Sequence, residues 1–151
     1  MEALIQTLRL LQANSFIYGT KAHGYHWNVE GILFDQFHEM FGDIYSDADG
    51  AVDTYAEWIR SFGGKAEFDT VKIYETSNVK YDLDLNITSP VEMLQSLLSS
   101  NEQIITDLKA GFILANAENE QGVADFFASR ITSHQKWRWK LTASLKTMVN
   151  F

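Results

Sequence analysis

Pro90 is the sole proline of the chain, so the long stretches on either side of it hold nothing that must break a helix. Both stretches carry a helical period. From Leu4 the positions Leu8, Leu11, Ser15, Tyr18, Ala22, Tyr25 and Val29 alternate steps of four and three and are mostly apolar, which predicts an amphipathic helix over residues 2–29. Gly31 stops it. The stripe restarts at Phe34, Phe37, Phe41, Ile44, Ala48, Val52, Tyr55, Ile59 and Phe62, giving a second helix over 34–62 that ends at Gly63-Gly64.

Residues 63–88 lose the period and read as a long crossover, within which VKIYETS can form a short helix or a strand. Ser89-Pro90 followed by Glu92 resembles a helix start, and Met93, Leu97, Ile104, Leu108 and Phe112 carry a third helix to about residue 116. After the acidic turn NAENEQG, the positions Val123, Phe127, Arg130, His134, Trp137, Leu141, Leu145 and Met148 mark a fourth, its apolar face interrupted by Arg130 and His134. Four helices of about 40–45 Å with one long connection between the second and third describe an all-α, ferritin-like four-helix bundle. A single domain over residues 1–151 is expected, since 46% hydrophobic residues supply ample apolar surface for one core.

Cysteine is absent, so any bound metal must sit on His, Asp, Glu or water. The N-terminus has no basic region ahead of an apolar run, and no 18 apolar residues occur together. No signal peptide, no membrane span and a cytoplasmic protein are therefore expected. A net charge of -8 repels nucleic acid and attracts cations.

Four residues stand out as metal ligands. Asp53 and Glu57 lie one turn apart on a single helix face, a spacing that can chelate one ion, although such pairs also abound on solvated helices. His26 near the end of the first helix and His38 near the start of the second flank one short turn and can converge on one point. His38 and Asp53, however, are 15 residues apart on one helix, which is about 22 Å at 1.5 Å per residue. They cannot share an ion within one chain, yet they differ by only about 60° around the helix axis. If a twofold axis sets two copies of the second helix antiparallel, the histidine end of one meets the carboxylate end of the other, and two equivalent sites result. The Glu-x-x-His motif of di-iron sites inside a bundle is absent; Asp35-x-x-His38 comes nearest.

HGYHWNVEGILFDQFHEMF followed by DTYAEWIRSFGG resembles the Dps family of twelve-subunit miniferritins over nearly the whole chain, and SHQKWRWKL is similar to that family's fourth helix. The resemblance implies a homo-oligomer, a dodecamer closed into a hollow spherical shell. It implies a ferroxidase that oxidises ferrous iron, with hydrogen peroxide as the favoured oxidant, and stores the ferric mineral as protection against oxidative damage. His26 and His38 are then ligands from one subunit and Asp53 and Glu57 from its partner. Trp27 is placed beside the site to intercept radicals, and Glu120 and Asp125 fall where the family lines pores for iron uptake. Gly42 stands where the family commonly has Asp, and Asp43 replaces that ligand only where the helix is locally distorted, being about 100° away on an ideal one. Trp58 occupies a position where Arg is frequent. His23 and His134 are expected to have structural roles.

Two alternatives belong to other classes. A DNA-binding nucleoid protein needs a cationic surface; the chain begins and ends close to its helices without a basic tail, and Lys21, Lys136, Arg138 and Lys140 read as a solvated face, so DNA binding is not expected. A metal-storage shell without efficient oxidation, or one for zinc, follows if Gly42 removes a needed ligand.

Overall fold

All four periodic stretches are helices to within two residues of their expected ends. In a computed structural model that describes residues 1–148, these are α1 (Glu2–Asn28), α2 (Phe34–Ser61), α4 (Pro90–Ala117) and α5 (Gln121–Met148). The side chain of Met148, last in the α5 stripe, lies outside the described residues. VKIYETS resolves as helix rather than strand, forming α3 (Thr70–Thr76) with Asp69 capping it by accepting from the Val71 N–H at 3.0 Å. No strand occurs among the described residues.

The breaks have local causes. After α2, Gly63 adopts φ +87°, and the Gly63 and Gly64 N–H groups return to the Arg60 and Ile59 carbonyls, which closes the helix end. Asn119 at φ 60° does the same between α4 and α5, with the Glu120 N–H on the Ala115 carbonyl. Pro90 sits in the first turn of α4, but Ser89 makes no side-chain cap.

Helices α1 and α2 form one antiparallel hairpin and α4 and α5 another, and α1 packs on α4 to close a core from Leu4, Leu8, Phe41, Leu97, Phe127 and their neighbours. Phe112 departs from the predicted α4 stripe and is exposed. Two polar pins hold the crossover. Asn14 accepts from Ser77 Oγ and the Asn78 N–H and donates to Asp107 Oδ2 at 3.0 Å. Lys21, expected on a solvated face, is instead fully buried: its ammonium lies 2.9 Å from Asp82 of the crossover and donates to Ser100 Oγ at 2.8 Å. Its register explains this, since Lys21 sits three residues after Tyr18 and four before Tyr25 on the buried side of α1. Burial lowers the Lys21 pKa, and Asp82 opposes that shift.

At mid-height, all four long helices contribute to one buried network. Arg130 of α5 makes a two-pronged contact with Asp47 of α2 at 2.8 and 2.9 Å, and Trp137 Nε1 donates to the same carboxylate. Asn101 of α4 lies 2.7 Å from His134 Nδ1, accepts from the Tyr18 hydroxyl of α1, and donates to the His134 carbonyl. Arg130 stands 3.2 Å from His134 Nε2, which assigns the acceptor role to that nitrogen. Burial raises the Tyr18 and Tyr55 phenols and lowers His134 to about 3. His134 is therefore neutral in the folded chain, and because its folded pKa lies below the unfolded 6.5, its contribution is complete above 6.5 and is lost as pH falls toward 3. We expect unfolding free energy to drop through that window in the wild type and to drop less steeply in His134→Gln. Equal slopes in denaturant titrations across the window would exclude His134 as the titrating group.

Candidate metal centre

His26 lies in the last turn of α1 and His38 in the first turns of α2, and the intervening turn brings the two rings together. Their centroids are 3.7 Å apart with planes 15° from parallel, and Phe34 stacks on His38 at 5.0 Å. Each histidine is held by the other's backbone: His26 Nδ1 is 2.5 Å from the His38 carbonyl oxygen, and His38 Nδ1 is 2.6 Å from the His26 carbonyl oxygen. Only a protonated nitrogen donates to a carbonyl, so both Nδ1 atoms carry a proton, and it is the Nε2 atoms that can offer a lone pair to a metal when the rings are neutral. The rings thus meet as the spacing predicts, but face to face rather than aimed at one point.

Gly42 explains the close seat. A Cβ built there would lie 2.9 Å from His26 Nδ1 and 3.0 Å from its Cε1, so the ring occupies the space any other side chain would need. Asp43 does not approach the histidines. Helix α2 runs regularly past it, and Asp43 lines a groove with Glu39, Trp137, Trp139 and Lys140 on the α5 side.

Asp53 and Glu57 are exposed on α2, whose unbroken course keeps them from the histidines. Among the described residues no three His, Asp or Glu side chains of one subunit form a metal-holding group. The neighbouring Trp58 turns its ring toward Gly122 at the start of α5 and packs on Phe62. Trp27 is exposed, and His23 lies between it and Tyr45, with centroid distances of 4.0 and 3.7 Å. Glu120 is half-buried and Asp125 exposed near the start of α5.

A ferritin-like domain model matches residues 5–150. The chain belongs to the Dps branch of the ferritin-like family. It is 31% identical over 144 residues to general stress protein 20U of Bacillus subtilis, covering 95% of this chain and 98% of that one. It is 29% identical over 134 residues to a DNA protection during starvation protein of Brevibacillus brevis, covering 89% of each. The crystal structure of a Dps protein from Bacillus brevis superposes with a TM-score of 0.90 at 28% identity, covering 95% of both chains.

Sequence reasoning missed Lys21 and Asn101 as buried polar groups, and Asp82 and Asp47 as half-buried partners in the polar contacts of the core. For Asp47 the signal was present: it lies three residues after Ile44 and four before Ala51, both buried. No local pattern identifies Asp82, whose partner is 61 positions away.

Proposed function

We propose that the chain is a cytoplasmic ferroxidase subunit that captures ferrous iron at sites shared between twofold-related copies, oxidises it with hydrogen peroxide and stores the product in a twelve-subunit shell. The observation that carries this reading is a separation: His38, one member of the histidine pair, and the carboxylate pair lie far apart along one continuous helix, α2. An isologous contact of α2 with its copy completes both at once. The mixed nitrogen and oxygen donor set suits ferrous iron, and the negative net charge of -8 favours cation uptake. Glu120 and Asp125 supply the acidic lining for that uptake.

The network at the bundle's centre supports placing iron between subunits. Where other ferritin-like proteins gather inward carboxylates, this chain holds a guanidinium, and Asp47 is already committed to it. In the reaction, two ferrous ions give one electron each to one peroxide, which takes up two protons and leaves as two waters. Consuming ferrous iron and peroxide together removes the pair that generates hydroxyl radical, so protection of DNA, for which the Brevibacillus brevis relative is named, needs no contact with DNA.

Anaerobic titration with ferrous iron, followed by peroxide and read by ferric absorbance alongside native mass, tests the proposal. A closed oligomer that oxidises iron quickly on peroxide addition is expected. A monomer that oxidised iron equally fast, or an oligomer no faster than buffer, would overturn it.

A further inference from the structure

The flank of α2 that carries His38 and Asp53 holds a third acid, Asp49. On an ideal helix it lies about 20° from His38 and about 40° from Asp53 around the axis, between the two. It is exposed and, among the described residues, makes no hydrogen bond or ion pair within its own subunit. Asp49 also lines a groove between α1 and α2 in which His23 is half-buried between Trp27 and Tyr45. Those two rings lie against the imidazole and leave hydrogen bonding to its edge, which likewise has no partner in the subunit. Neutral or protonated, an imidazole holds at least one N–H to donate.

The levels of the helices say what meets that edge. Within the hairpin Gly19 faces Ala48 and His26 faces Gly42, so facing positions of α1 and α2 add to 67 or 68. His23 therefore stands level with positions 44–45, in keeping with its stack on Tyr45. Across the twofold seam, the shared-site reading sets His38 opposite Asp53 and Glu57, so facing positions of the two α2 helices add to 91–95. Positions 44–45 then face positions 46–51 of the partner subunit. In that window Ala48 and Ala51 are buried, Asp47 is held by Arg130, and Gly50 has no side chain. Asp49 is the carboxylate left to accept.

We infer that His23 of one subunit donates a hydrogen bond to Asp49 of the other, twice per twofold contact. This rests on the shared-seam reading above and adds to it the pair that keys its register. Closing the seam takes Asp49 out of water and brings its own copy near across the axis, a cost that a donor from the opposite chain offsets. His23 precedes His26 by three residues and Asp49 precedes Asp53 by four, so each bond forms about one helical turn from a shared site. It holds the histidine end and the carboxylate end level with each other.

The chain has no cysteine, so introduced ones report proximity cleanly. Ser46 lies at the middle of the seam and faces its own copy, and Ser46→Cys should give a disulfide-linked dimer under mild oxidation. Its absence would sink the shared seam and the pair together. His23→Cys and Asp49→Cys chains, co-assembled, should cross-link to each other, as mass would show. A Ser46→Cys dimer without that mixed product would overturn the pair and leave the seam standing. Bonding itself is read from a double-mutant cycle with His23→Phe, which keeps the ring stack and removes the N–H. His23→Phe should lower the urea midpoint for shell dissociation, followed by native mass, when Asp49 is present, and leave it nearly unchanged in the Asp49→Ala background. Equal shifts in the two backgrounds would overturn the hydrogen bond.

Discussion

Shells co-assembled from His26→Ala and Asp53→Ala chains are expected to regain fast iron oxidation that neither parent possesses. In each parent every shared site lacks one ligand, so each alone should be strongly slowed. Where the two variants meet across a twofold axis, one site combines the intact histidines of the Asp53→Ala chain with the intact carboxylates of the His26→Ala chain, and its companion loses both. Equal random mixing makes half the interfaces mixed, so about one site in four should be whole, by the symmetry of an isologous contact. Stopped-flow absorbance on shells whose mixed composition has been verified by mass measures it. Mixed shells as slow as their parents would rule out sharing across the twofold and send the search for ligands back inside one subunit.

The second large effect concerns stability. Asp47→Ala leaves the Arg130 guanidinium buried without its counter-charge and removes the acceptor of Trp137 Nε1. Breaking one side of a buried, doubly hydrogen-bonded pair costs about 3–5 kcal/mol, and the lower end applies here because the Asp47 side chain is 29% exposed. At roughly 2–4 °C per kcal/mol for a chain of this size, the thermal midpoint should fall by about 10 °C. Burial by itself would raise the Asp47 pKa, but the Arg130 hydrogen bonds and charge outweigh it and hold the carboxyl below its usual range. Asp47→Asn should therefore fall between wild type and Asp47→Ala, because it keeps hydrogen-bonding capacity and loses the charge. Circular dichroism at fixed subunit concentration, needed because assembly contributes to the midpoint, checks the order. An Asp47→Ala midpoint within about 2 °C of wild type would mean that Arg130 finds other partners or water at little cost.

Much of this architecture was legible in the residues. One proline, two glycine-marked stops and four mostly apolar stripes at the helical period specify four long helices with a crossover, because hydrophobic period and backbone punctuation are local properties. The same arithmetic separated His38 from Asp53 before any fold was known, since rise per residue depends on nothing but the helix. Three matters needed tertiary structure. Lys21 is buried against a half-buried Asp82 only because the crossover folds back over α1, and their separation of 61 positions leaves no periodic trace. VKIYETS could have been helix or strand until Asp69 capped it and Ile73 was buried. The histidine pair depended most on three-dimensional structure. Its spacing brings the rings together, but whether they converge or stack depends on the space above residue 42 and on which backbone carbonyls the rings meet, and both are properties of how α1 and α2 lie against each other.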